Sequence, residues 1–176
     1  MPCVRLLLTG FMGAGKTTVG ERLAARLGCP FVDLDREVEE AAGQGVAEIF
    51  AAHGEARFRE LERRALEAAL AAPEVVVATG GGTLTLPDNL ELVAGRGGLV
   101  VWLHVPFPVI VARLGGVDRP DRPLFRSETE AFALYHRRLE AYRRADLRVD
   151  VDAAATPEEV VGRILLQLPR RQPCAT

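Results

Sequence analysis

The chain has 176 residues, 48% of them hydrophobic and 26% charged, which fits one domain with a sizeable core and a soluble surface. A net charge of -2 gives no electrostatic reason to expect nucleic acid or a membrane surface as partner. The three cysteines, Cys3, Cys29 and Cys174, are odd in number and form no C-x-x-C pair, which argues against a disulfide framework or zinc site and for a reducing cytoplasm.

Strands and helices alternate along the chain. Residues 4–9 are mostly apolar and read as a buried strand; apolar residues at helical spacing follow over 19–27. Gly28-Cys29-Pro30 breaks that helix, and residues 31–35 form a short strand ending in Asp33 and Asp35. Helical stretches run to Ala41 and again over about 46–71, where Pro73 stops them. A third strand over 74–79 runs into Gly80-Gly81-Gly82, and 87–94 is a short helix. Residues 99–105 make a fourth strand, and a helix from about Pro108 leads to Leu114. Residues 115–126 show no apolar period. A helix over about 128–144, a fifth strand over 147–150 and a last helix follow. That helix carries Thr156 as N-cap, Pro157 at N1 and Glu159 at N3. The tail after Leu168 reads as frayed. No apolar run approaches the ~18 residues of a membrane span, and the first strand begins too early to leave room for a signal peptide.

This alternation, with near-continuous apolar strands, predicts an α/β fold: a parallel sheet covered by helices on both faces, with ligands at the carboxyl ends of the strands. The candidate residues fall at those ends. Gly10 to Thr17 fits G-x-x-x-x-G-K-[ST], lying between a strand and a helix as a phosphate-binding loop requires. Backbone N–H groups of Gly13, Ala14, Gly15, Lys16, Thr17 and Thr18 and the positive end of the helix would wrap a triphosphate such as that of ATP. Lys16 is the sole lysine among 22 basic residues, the other 21 being Arg. A compact ammonium fits against β- and γ-phosphates where a planar guanidinium does not.

Thr17 would offer its hydroxyl to Mg²⁺, with Asp33 a second, water-mediated support. Asp33 and Asp35 are expected to point to opposite sides, one to the metal and the other to an acceptor hydroxyl that Asp35 orients or deprotonates. Helix capping is the alternative role for an Asp-x-Asp at this place, and it applies to Asp35. Three consecutive glycines at a ligand edge imply backbone amides lying against a bound molecule. Arg59 and Glu62 share a helix face, so the carboxylate could hold the guanidinium for a substrate carboxylate; an ordinary surface ion pair has the same spacing. Residues 115–126 combine glycines with Arg119-Pro120 and Arg122-Pro123, as suits a lid that closes over phosphates and excludes water. A solvated loop is the bland alternative.

Together these residues resemble the shikimate kinases, P-loop proteins of the nucleoside-monophosphate-kinase-like group. The resemblance rests on the phosphate loop through Gly20, Asp33-Leu34-Asp35, Ile49-Phe50, Gly54-Glu55, Phe58-Arg59 with Glu62, the triple glycine, and Arg122-Pro123-Leu124. It covers almost the whole chain. It implies a three-layer fold with strand order 2-3-1-4-5, a mobile lid, a substrate-binding helical region over about 35–62, and ATP-dependent, Mg²⁺-assisted phosphorylation of the shikimate 3-hydroxyl. It also implies that Arg59 and Arg138, four residues before Tyr142, grip the substrate carboxylate while Asp35 and Gly81 hold ring hydroxyls. Arg122 resembles the lid arginine that reaches ATP phosphates, with Arg119 the competing choice, and Arg113 the arginine that packs on adenine. The loop after the last strand is Ala153-Ala154-Ala155, where many members have a polar or basic adenine contact, and Ala141 replaces a customary Pro before the Tyr. A gluconate kinase of the same fold and a nucleotide-binding scaffold without catalysis are the rival readings. A cytoplasmic monomer with a small-molecule substrate completes the expectation.

Overall fold

The computed structural model describes residues 4–115 and 127–168. Five strands form one parallel sheet: β1 (Arg5–Thr9), β2 (Phe31–Asp33), β3 (Val75–Ala78), β4 (Gly98–His104) and β5 (Leu147–Asp150). Their order is β2-β3-β1-β4-β5, as the resemblance implied. The helices are α1 (Lys16–Leu27), α2 (Leu34–Ala42), α3 (Val46–Ala69), α4 (Pro87–Gly95), α5 (Phe107–Leu114), α6 (Glu128–Tyr142) and α7 (Pro157–Gln167), with a 3₁₀ turn over Thr83–Thr85.

The central strand shows why the sheet is a three-layer one. Leu6, Leu7 and Leu8 are fully buried although successive side chains leave a strand on opposite faces. Leu6 and Leu8 join a cluster with Leu23 of α1, Ile110 of α5 and Val160 and Ile164 of α7. Leu7 joins another with Leu66 of α3, Leu70 and Val93 of α4. Each such leucine contributes about 1.5–3 kcal/mol by leaving water. A smaller cluster of Val38, Ile49 and Phe58 ties α2 to α3.

Several element ends differ from the sequence expectation. The helix after the phosphate loop starts at Lys16, earlier than its apolar period, because glycines rather than polar caps end the loop: Gly15, its N-cap, sits at φ 90°. The second strand stops at Asp33, not at residue 35, because Asp33 itself caps α2. Its Oδ1 accepts from the N–H of Asp35 at 3.1 Å and of Arg36 at 3.5 Å. The capping role thus falls on Asp33, one place before the helix, and Asp35 lies in the first turn. Gly54, at φ 76° and ψ 177°, breaks α3 into two segments. The Thr156 capping box forms as expected, with the Glu159 N–H donating to Thr156 Oγ1 at 3.3 Å. Among the described residues no helix is long and apolar enough to cross a membrane.

Candidate active site

The register Leu8↔Ala78 and Asp33↔Ala78 brings the carboxyl ends of β1, β2 and β3 side by side, and Thr9↔Trp102 sets β4 on the other side of β1. A cavity of about 300 Å³ opens there, lined by Lys16, Thr17, Asp33, Asp35, Gly81 and Arg113 among others.

Its first wall is the phosphate loop. Gly10, Gly13 and Gly15 all have positive φ, and a Cβ on Gly10 would stand 2.7 Å from the Leu103 carbonyl. Ala14, by contrast, is buried in the core and anchors the loop. The first helical bond runs from Val19 N to Gly15 O, so the amides of Thr17 and Thr18 lie ahead of it in the first turn of the helix. Lys16 Nζ donates to the carbonyls of Gly10 at 3.0 Å and Phe11 at 3.1 Å. Thr17 Oγ1 donates to Asp33 Oδ2 at 2.6 Å. One Asp33 carboxylate therefore caps α2 and holds the threonine of the loop.

Asp33 and Asp35 line the same cavity, so the expected divergence to opposite sides is overturned. Residues two apart on a strand share a face, and here the second of the two is already helical. Asp35 lines the cavity and keeps part of its surface exposed. Removal of bulk water raises its carboxyl above the usual carboxylate range; Lys16 opposes the shift, while Asp33, Glu62 and Glu39 add to it.

The second wall is the glycine run. None of Gly80, Gly81 and Gly82 has positive φ; what they supply is room. A Cβ on Gly80 would lie 2.6 Å from Glu62 Oε1 and 3.1 Å from Asp35 Oδ1. On Gly81 it would lie 3.0 Å from Arg138 Nη1. On Gly82 it would lie 2.6 Å from Arg59 Nη2 and 3.0 Å from Arg138 Nη2. The close approach inferred from three glycines is thus made by side chains of this protein: two guanidinium groups and two carboxylates crowd against the turn.

Arg59 is held in place. Nη1 donates to Glu62 Oε2 at 2.7 Å and Nη2 to Glu55 Oε1 at 3.0 Å. Burial tends to lower its pKa, but the Glu62 and Glu55 carboxylates outweigh that and raise it. Glu62 is fully buried and also accepts from Thr83 Oγ1 at 2.5 Å. Asn89, buried in turn, donates to the Thr83 carbonyl at 2.8 Å and accepts from Arg63 at 2.9 Å. Arg138 is 9% exposed, lies over the Phe11 ring at 5.9 Å, and pairs with no carboxylate among the described residues. Thr83, Asn89 and the contacts of Tyr142 carried no sequence signal of their own.

Arg113 lies in the last turn of α5 at the cavity mouth and donates to the Asp152 carbonyl at 3.3 Å, beside the alanine loop after β5. Arg119 and Arg122, with the lid expected over 115–126, fall outside the described residues. Among those residues no group of three or more His, Cys, Asp or Glu could cage a metal. The hard oxygens of Thr17 and Asp33 instead match a cation that keeps waters and phosphate oxygens as its other ligands, as Mg²⁺ does.

Comparison with known proteins shows the family. The family model described as shikimate kinase matches residues 12–169. The shikimate kinase of Geobacter sulfurreducens is 48% identical over 162 residues, covering 90% of this chain and 87% of that protein. That of Synechococcus elongatus is 42% identical over 167 residues, covering 93% and 86%. The crystal structure of shikimate kinase from Aquifex aeolicus superposes with a TM-score of 0.81 at 38% identity, covering 93% and 95% of the two chains. Shikimate kinase from Acinetobacter baumannii in complex with shikimate gives 0.85 at 34%, covering 92% and 90%. A gluconokinase from Sinorhizobium meliloti, at 22% identity and TM-score 0.64, shares the fold alone. With the phosphate loop and Gly81 lining one cavity, two arginines crowded against the glycine turn, and relatives matched over nearly their full length, the chain belongs to the shikimate kinase family.

Proposed function

We propose that this chain divides its cleft between a donor half and an acceptor half. The reaction is the family's: the γ-phosphoryl group of ATP passes to the 3-hydroxyl of shikimate, giving shikimate 3-phosphate and ADP. In the donor half the amides of Gly13 to Thr18 cradle the triphosphate, and Lys16 leaves its loop carbonyls to meet the β- and γ-phosphates. Arg113 packs on adenine. Thr17 and Asp33 hold Mg²⁺, which when bound neutralises charge on the phosphate oxygens. Arg122 reaches in from the lid and, with Lys16, spreads the charge of the transition state.

In the acceptor half Arg59 and Arg138 grip the shikimate carboxylate. Asp35 and the Gly81 backbone take ring hydroxyls. Asp35 orients the 3-hydroxyl in line with the γ-phosphorus and accepts its proton as the new O–P bond forms and the bond to the β-phosphate bridging oxygen breaks. The observation that carries this reading is the convergence of two arginines on one glycine beside a carboxylate that shares a cavity with the loop lysine. The enzyme works as a cytoplasmic monomer, with residues 35–62 as the substrate-binding region of a single domain.

A coupled ADP-release assay with shikimate, quinate, gluconate and nucleoside monophosphates tests the assignment. Turnover with shikimate alone, or with shikimate far above the rest, is expected. Turnover on gluconate without shikimate would overturn it.

A further inference from the structure

Tyr142 served in the sequence only as a marker for Arg138. In the fold it is 1% exposed and donates its phenolic O–H to the Gly81 carbonyl at 2.6 Å. Burial pushes the phenol up to about 12, with Arg138 pulling the other way, so it remains a donor throughout the neutral range. Its ring lies 5.9 Å from that of Trp102, the sole tryptophan.

The carbonyls of the glycine run are all occupied. Gly80 O accepts from Thr83 N at 3.2 Å and Thr83 Oγ1 at 3.0 Å. Gly82 O accepts from Thr85 N at 3.2 Å and Thr85 Oγ1 at 2.7 Å. Both sets of donors come from the turn itself; only Gly81 O is held from a distant element, by Tyr142. The N–H groups of the same three glycines have no protein acceptor among the described residues. Three consecutive free amides at the edge of a cleft are donors awaiting a ligand. In a trans peptide the C=O and the following N–H point opposite ways. Fixing the Gly81 carbonyl on α6 therefore fixes the Gly82 N–H as well, at the glycine where Arg59 and Arg138 meet.

We propose that Tyr142 is a positioning residue for the acceptor: its hydroxyl locks the Gly81–Gly82 peptide to α6, so that the glycine amides and Arg138 present one rigid set of donors to shikimate. It acts through the peptide and does not touch the reacting atoms. The proposal rests on the reading that the glycine run, Arg59 and Arg138 form the acceptor half.

Tyr142→Phe removes one oxygen and keeps the ring against Trp102. Loss of a single positioning hydrogen bond is expected to raise the KM for shikimate about 5- to 10-fold. The KM for ATP should stay unchanged, kcat should remain within about twofold, and the melting temperature should move little. An active variant with unchanged shikimate KM overturns the proposal, as does an equal rise in both KM values with a large fall in melting temperature. A wild-type enzyme without shikimate-dependent ADP release would instead overturn the assignment of function. The chain has two tyrosines, so 3-fluorotyrosine in a Tyr135→Phe background reports on Tyr142 alone. Its fluorine resonance should shift on adding shikimate without nucleotide. A static resonance overturns the proposal even if Tyr142→Phe fails to fold.

Discussion

Arg59 on α3 and Arg138 on α6 meet at Gly82: the nearest guanidinium nitrogen of Arg59 lies 2.6 Å, and that of Arg138 3.0 Å, from where a Cβ on that glycine would stand. Gly82 has φ −108°, which any residue adopts, so alanine there meets no backbone strain. The atoms it would strike are the far ends of long, flexible side chains. Gly82→Ala is therefore expected to fold, losing only the stability that disturbing the Arg59–Glu62 pair costs, and to push both guanidinium groups out of position. Displacement of positioning groups by about 1 Å costs up to roughly 100-fold. Steady-state kinetics should show kcat/KM for shikimate reduced 10- to 100-fold with KM for ATP unchanged.

Glu62 explains how a surface arginine becomes a fixed one. Its two oxygens are divided between Arg59 at 2.7 Å and the Thr83 hydroxyl at 2.5 Å, and the side chain is wholly buried. Glu62→Gln keeps the shape but sets an amide N–H₂ against one of those donors and leaves Arg59 short of a charge partner. Breaking a buried, charge-assisted pair of this kind costs about 2–4 kcal/mol. Thermal denaturation should show the loss of stability, and the KM for shikimate should rise while that for ATP does not.

Much of this was legible beforehand, for identifiable reasons. The phosphate loop and the Arg59–Glu62 pair are local patterns, set by contiguous residues or by one helical turn. The triple glycine announced a close approach but not its source. Nothing in Gly80-Gly81-Gly82 says that Arg59, 21 or more positions earlier in the chain, and Arg138, far later, occupy the space. Thr83, Asn89 and Tyr142 are ordinary polar residues whose partners lie across the fold, so only the packed structure gives them roles. The expectation that Asp33 and Asp35 diverge fails because residues two apart on a strand share a face. A strand that continued would have put both on one face; the cap at Asp33 turns the chain into α2 and still leaves both at one cavity.

Asp35 predicts a pH dependence. Burial raises its carboxyl pKa above the ordinary value, chiefly by desolvation. A group whose pKa is raised on folding stabilises the fold when protonated, below its ordinary pKa. That contribution is lost as pH rises through the raised value. Ionised Asp35 is thus a net cost to folding at neutral pH, and Asp35→Asn should melt higher than wild type at pH 7 but not at pH values below the usual carboxylate range. Catalysis requires the opposite form. The acid limb of kcat/KM for shikimate should fall above the usual carboxylate range, and Asp35→Asn should abolish turnover while leaving ATP binding, measured by calorimetry, nearly intact. A variant with unchanged turnover would remove Asp35 from the mechanism.

Gly54 divides α3 into a part that carries Ile49 and a part that carries Phe58 and Arg59, both packed against Val38 of α2 through those apolar side chains. Its φ of 76° with ψ 177° belongs to a region that only glycine occupies readily, and a Cβ there would meet nothing within 4 Å. The requirement is conformational, not steric. Gly54→Ala must either bear strain of about 1–3 kcal/mol or straighten the helix. Straightening would pull Ile49 and Phe58, which sit on either side of the break, out of the cluster they share with Val38. Either outcome lowers the melting temperature. The two are told apart by shikimate: strain alone leaves its KM near wild type, whereas a straightened helix carries Arg59 away from Gly82 and raises it. We expect the second, because the cluster is small, three buried residues in all, and offers less resistance than the backbone strain. Kinetics with each substrate varied in turn, alongside a melting curve, decides between them.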